Sequence, residues 1–427
     1  MYNILSLDGG GSWAIIQVMT LQKLYGEHAP GSHVLKNFDL VVANSGGSIV
    51  AAGLLLDLKL SELRKLFDTE EYRNQIFVPV GIWDRVIPSL VGVGPKYRTK
   101  AKLQGLAAIF GKFQGNITLT EAAERISAKN NRRIDVVMVG YHYNRDRSTF
   151  FRSNQASLAG SFGPPRPVLL AEAVHASTNA PVNYFDEPAM VTVGDSREPF
   201  WDGAITGFNN PVMAGVIEAR ANGKAASEIR ALSIGTGNTF LPLPDRTSKA
   251  ADPCLLAPTP PPGFKTDLKK LASSILSDPP DAASFIAHVM LGGHIPTQAT
   301  ERVMDGPVVR LNPLVQPVLG QAKTWILPPK VPGTQFAWGD FPIGGPSALD
   351  AAQFKRLRDL DMDAVEPEQV DWIKEFAQLW MADNIPNQPV RAGQLLDCQI
   401  GHRWFSQALS QAITYFGPPQ PPERAVA

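Results

Sequence analysis

An apolar run, Ile4 to Leu7, breaks off into Asp8-Gly9-Gly10-Gly11, and helical spacing of apolar residues follows at once over Ala14 to Tyr25. A short apolar run that ends in glycines reads as a buried strand entering a tight loop. The same grammar soon returns. Phe38 to Ala43 predicts a strand, Asn44-Ser45-Gly46-Gly47 a turn, and Ser48 to Leu56 a helix. Strand, turn and helix, twice over, constrain the chain to an α/β fold around a mainly parallel sheet. Further on, Ile134 to Tyr141 predicts a strand with Thr149 to Arg152 as its hairpin partner. Leu169 to Ser177 predicts a helix, and Ile229 to Ile234 a buried strand ending in Gly235-Thr236-Gly237.

The composition shifts near Pro253. Asp252 to Gly263 is proline-rich and predicts an irregular connector. Asp281 to Leu291, Leu349 to Leu360, Pro367 to Met381 and Trp404 to Phe416 have helical patterns. The expected organisation is a catalytic core over 1–250, an elaboration over 251–416 that completes the domain, and a flexible tail over 417–427. The 40 basic and 40 acidic residues cancel, which argues against a nucleic-acid polymer as partner. Two cysteines, Cys254 and Cys398, cannot make a disulfide framework and point to the cytoplasm. The first residues lack a secretory pattern. No run reaches the roughly 18 apolar residues of a membrane span.

Three features carry chemistry. Ala43-Asn44-Ser45-Gly46-Gly47 is a variant of the G-x-S-x-G nucleophile elbow, with small residues where strand and helix crowd each other. Such a turn presents Ser45 at a helix N-terminus, where the dipole favours developing negative charge. The glycines after Asp8 can turn several backbone N–H groups toward an oxyanion. A phosphate loop is the rival reading, but no Lys-Ser or Lys-Thr follows. Asp202-Gly203-Ala204 supplies a carboxylate that could take a serine proton; alone, Asp-Gly is a turn signal.

In this order the three features resemble the patatin-like phospholipases. Ala176 to Pro181, Asn209-Asn210-Pro211 and Leu232 to Gly237 extend the resemblance, and Arg310-Leu311-Asn312 matches a late strand. The resemblance implies a three-layer α/β/α sandwich and a Ser45–Asp202 dyad. Gly9, Gly10, Gly11 and Gly46 would form the oxyanion hole, with Asp8, Ala43, Asn44, Gly47 and Gly203 as supporting residues. Ala43 departs from the usual glycine, so some strain is expected there, and Ser12 departs from an arginine or glycine. The implied activity is hydrolysis of fatty-acyl esters through an acyl-enzyme, with no metal or cofactor. A small-ester hydrolase or thioesterase, and a catalytically silent lipid-binding module, are the alternatives.

The resemblance also implies an acyl-lipid substrate. Some bacterial members are switched on by a small nucleotide, so the region after Pro253 is a candidate seat for such an activator or for a homo-oligomer contact. Phe77 to Val93 is apolar, with Trp83 in it and Lys96, Arg98 and Lys100 beyond it. It reads either as a peripheral membrane contact or as a packed segment. His288, His294 and His402 come late enough for a Ser-Asp-His triad, and His175 lies near the small-residue segment. A lone histidine carries no motif, so structural roles are expected for all of them.

Overall fold

The computed structural model describes residues 1–81, 94–113, 117–154, 167–244, 249–297, 301–319, 323–327, 349–391 and 399–417. Its centre is an eight-stranded sheet. The strands are β1 (Tyr2–Leu7), β2 (Leu40–Ala43), β3 (Asp135–His142), β4 (Arg147–Arg152), β5 (Ala189–Val193), β6 (Ser196–Asp202), β7 (Ile229–Ile234) and β8 (Val308–Leu311). Their order is β8-β7-β1-β2-β3-β6-β5, with β4 also paired to β3. From β8 to β3 every pairing is parallel. The pairings among β3, β4, β5 and β6 are antiparallel. The sheet is therefore mixed, with a parallel core.

Period-two alternation sorts the strand residues onto two faces. Leu5, Leu7, Val41, Ala43, Val136, Met138, Leu232 and Ile234 enter the larger apolar core. Helices α1 (Ile15–Tyr25), α2 (Gly46–Leu55), α3 (Thr99–Gly111) and α4 (Leu170–Ser177) cover this side. Ile4, Leu40, Val42, Val137, Ile229 and Ala231 face the other way, onto α5 (Val212–Ala221) and the C-terminal part of α6 (Phe264–Met290). Helices on both faces of one sheet make the expected three-layer sandwich.

The predicted strands and helices of the first half recur within a few residues. The helix predicted over Asp281 to Leu291 is the end of the longer α6. Pro279-Pro280 concealed its continuity, because proline inside a helix reads as a break. The helices predicted late in the chain appear as Ala351–Asp359, α7 (Pro367–Met381) and α8 (Phe405–Phe416). Strand β8, from beyond the proline-rich stretch, joins the main sheet beside β7. Among the described residues no helix is long and apolar enough to cross a membrane.

Candidate active site

Two strand ends collide along one edge of β3. β2 ends at Ala43, opposite Met138. β6 runs the other way and ends at Asp202, opposite Gly140. β4 occupies the opposite edge over Val137 to His142, so β2 and β6 must share an edge and approach head-on. Ser45 and Asp202 meet where they converge.

Ser45 takes φ 49° and ψ −125°, a region that a residue with a β-carbon rarely enters. Such a conformation stores about 1–3 kcal/mol and persists only when its surroundings enforce it. Here close packing enforces it. A Cβ on Gly46 would lie 2.5 Å from the Gly11 carbonyl oxygen, and one on Gly47 would lie 2.4 Å from that of Leu7. Strain expected at Ala43 falls instead on Ser45: Ala43 is an ordinary strand residue, in register with Leu7 and Met138.

Asp202 is buried, and it lines the same cleft as Ser45. Asn44 Nδ2 donates to Asp202 Oδ1 at 3.1 Å, and the Ala204 N–H at 2.9 Å. Burial pushes the Asp202 carboxyl above the ordinary range. The Ala204 N–H, the Ser45 hydroxyl, the Asn44 amide and the Lys102 charge pull it back. Gly203 must lack a side chain, because a Cβ there would lie 2.7 Å from Asn44 Oδ1 and 2.6 Å from Val139.

The glycine loop needs one correction. The Gly9 N–H donates to the Asn209 carbonyl at 2.8 Å, so it is not free to bind an oxyanion. Gly9 contributes space instead: a Cβ there would lie 2.9 Å from the Ser45 Cβ. Its own carbonyl accepts from Thr236 Oγ1 at 2.7 Å. The Asn209-Asn210-Pro211 and Gly235-Thr236-Gly237 stretches thus hold the loop from two sides. Among the described residues, the N–H groups of Gly10, Gly11 and Gly46 have no acceptor. Asp8 is buried and paired with Arg310 of β8 at 2.6 Å, and Arg310 also donates to Ser233 at 2.7 Å. Burial outweighs that guanidinium and pushes Asp8 up to about 6.

Ser45 stands between two spaces. One is a cleft of about 670 Å³ that also takes in Gly10, Trp13, Asp202 and Arg310. The other is a narrow pocket walled by Ile49, Leu66, Phe67, Ile76, Phe77 and Phe185. No histidine lines either space among the described residues. His175 is buried on α4, His288 holds the His294 carbonyl, and His294 and His402 lie beside Glu301 and Asp305. Among the described residues, no three His, Cys, Asp or Glu side chains gather as a metal site would require. Of the apolar stretch Phe77 to Val93, residues 82–93 lie outside the described residues. Lys96 and Lys100 beyond it are ion-paired with Asp361, Asp363 and Glu187.

Sequence reasoning missed three contributors. Ser177 Oγ accepts the Ser45 N–H at 3.0 Å. Lys102 is buried behind the small-residue segment. Met362 accepts the Ser12 N–H at 2.9 Å, bringing a distant segment over the glycine loop. Ser177 lies in the small-residue stretch Ala176 to Pro181, but its contact with Ser45 has no sequence signal, and no spacing links Lys102 or Met362 to the motifs.

The family model for patatin-like phospholipases matches residues 5–216. The cUMP-AMP-activated phospholipase of Escherichia coli is 29% identical over 238 residues, 55% of this chain and 64% of that protein. The cGAMP-activated phospholipase of Pseudomonas aeruginosa is 27% identical over 238 residues, 55% of this chain and 62% of that protein. The chain thus spans less than two thirds of the length of either relative. Among solved structures, VipD of Legionella pneumophila aligns over 97% of this chain and 74% of its own, at 12% identity and a TM-score of 0.32. Residues 5–216 thus form a patatin-like phospholipase domain.

Proposed function

We propose that the chain is a lipid acyl hydrolase of phospholipase A type, with Ser45 as nucleophile and Asp202 as its base. One observation carries this reading. Ser45 and the buried Asp202 line one cleft, and Ser45 stands where that cleft meets an apolar pocket. In the first step Asp202 accepts the Ser45 proton as Oγ attacks the ester carbonyl carbon. The N–H groups of Gly10, Gly11 and Gly46 are the donors available to the oxyanion, which needs preorganised dipoles in a water-poor site. The narrow pocket suits the acyl chain and the cleft suits the remainder of the lipid. Collapse of the tetrahedral intermediate breaks the ester bond, and Asp202 returns the proton to the leaving alkoxide. Water, deprotonated by Asp202, then attacks the acyl-enzyme; the proton passes to Ser45 as the fatty acid leaves.

The test is fatty-acid release from phospholipid vesicles without added calcium, by wild type, Ser45→Ala and Asp202→Asn. Loss of a general base costs about 10²–10⁴-fold, and loss of the nucleophile should leave only background. Because burial holds the Asp202 carboxyl high, the rate should fall on acidification at a higher pH than an ordinary aspartate would give. Activity on soluble esters but not on vesicles would favour a small-ester hydrolase. Failure of Ser45 to react with a fluorophosphonate would favour a silent lipid-binding module.

The names of the two relatives support a second proposal, that activity depends on a cyclic nucleotide. Vesicle hydrolysis that begins only when cUMP-AMP or cGAMP is added would support it; full activity of the protein alone would refute it.

A further inference from the structure

Lys102 on α3 is fully buried, and the proposed mechanism leaves it unused. Its amine donates to the His175 carbonyl at 3.0 Å and to Thr178 Oγ1 at 3.2 Å. It also sits 4.0 Å from the centre of the Phe185 ring. Burying a lysine is costly, and a core that needed only volume here would favour an apolar side chain. The two groups it grips lie on the last turn of α4 and its C-terminal cap. That turn touches both members of the dyad through their backbones. Ser177 Oγ accepts the Ser45 N–H at 3.0 Å and lies 2.9 Å from Ser48 Oγ. The Asn179 carbonyl accepts the Asp202 N–H at 2.9 Å. Lys102 therefore holds residues on either side of Ser177 and next to Asn179.

We propose that Lys102 is a positioning residue for the Ser45–Asp202 pair, acting through the turn from His175 to Asn179. The inference rests on the dyad proposed above. Displacing a reacting group by about 1 Å can cost about 10²-fold in rate, so a clamp two bonds away from both partners has leverage. Its charge adds to this. Among the described residues, the groups that face the amine electrostatically are His175 on α4 and Asp202 at the end of β6, and the Lys102 charge acts on Asp202. Burial pulls the Lys102 amine well below its ordinary value, so its positive charge is fullest on the acid side of the profile, where it favours the ionised carboxylate that the base must be.

The experiment uses the full chain, with and without cUMP-AMP and cGAMP. It measures the rate of fluorophosphonate labelling at Ser45, and kcat and KM on a soluble acyl ester, across pH. Lys102→Met should lower kcat and the labelling rate about tenfold or more, leave KM near its wild-type value, and move the acid limb to higher pH. Thr178→Val, which removes one grip and keeps the charge, should lose less and leave the acid limb in place. An unchanged rate and acid limb in a folded Lys102→Met overturns the inference alone. If that variant does not fold, a wild-type rate in Thr178→Val overturns it. A wild type that is never labelled overturns the dyad, and this inference with it.

Discussion

The two walls of the cleft are built by opposite means. On the wall that carries Ser45 and Asp202, backbone meets backbone: Gly46 and Gly47 lie against the carbonyls of Gly11 and Leu7, and Gly9 is pinned between Asn209 and Thr236. The far wall comes from beyond residue 300, and long side chains do the work. Arg310 reaches Asp8, while Lys96 and Tyr97 tie down Asp361 and Asp363 beside Met362. The first kind of wall leaves a sequence signature, because it needs the smallest residues at fixed positions. The second leaves none, because any chain that brings a cation or a carbonyl to the right place would serve.

Arg310→Met should give the largest effect. Removing one partner of a buried pair leaves an uncompensated charge and costs about 3–5 kcal/mol. Asp8 already holds its proton up to about 6 with Arg310 present, and loss of the guanidinium pushes that value higher. A raised carboxyl binds its proton more tightly in the folded state, so the fold loses stability as pH rises through it. The defect of Arg310→Met, read from urea unfolding, should therefore be full at pH 8 and ease toward pH 5. A defect that is small and flat with pH would mean that the far wall does not support the glycine loop.

Gly47→Ala comes next and acts on the near wall. Its Cβ would lie 2.4 Å from the Leu7 carbonyl oxygen and 2.7 Å from that of Asp8, both main chain, which cannot swing aside. Alanine gains about 1 kcal/mol of helix propensity over glycine. Overpacking of about 1–3 kcal/mol should outweigh it. The more telling readout is fluorophosphonate labelling. Lifting α2 off β1 moves Ser45, so labelling should fall further than the melting temperature suggests. Wild-type labelling in this variant would mean that the close approach is not what sets the elbow.

The same contrast explains what could be read from the sequence. The parallel strands β1, β2 and β7, the elbow, the glycine loop and Asp202 were legible because each obeys a local rule of period or turn chemistry. The hairpin of β5 and β6, which delivers Asp202, was also encoded: Gly194-Asp195 joins Val193 to Ser196, and Gly194 takes φ 65°. Gly-Asp between apolar runs is a two-residue hairpin signal, here obscured by Pro199 within β6. The free N–H groups of the glycine loop were only partly legible. Three glycines announce freedom, but which N–H remains free depends on Asn209, about two hundred residues away. Lys102 and Met362 were out of reach altogether, and so was the bond from Ser45 to Ser177, because these roles come from packing between elements distant in sequence.

The smallest expected effect lies where the two walls touch at the surface. Trp13 Nε1 donates to the Asp361 carbonyl at 3.1 Å, and its ring meets Phe376 of α7 edge-on at 6.0 Å. Trp13→Phe keeps an aromatic partner for Phe376 and removes the one hydrogen bond. A bond of this kind contributes about 0.5–1.5 kcal/mol net, and its exposure puts this one at the lower end. The segment would still be held by Lys96, by Tyr97 and by the Ser12–Met362 bond. Urea unfolding should therefore shift by less than about 1 kcal/mol, and vesicle hydrolysis should change less than in Arg310→Met. A loss as large as that of Arg310→Met would invert the comparison. It would mean that the strap over Ser12, rather than the buried ion pair, holds the far wall against the glycine loop.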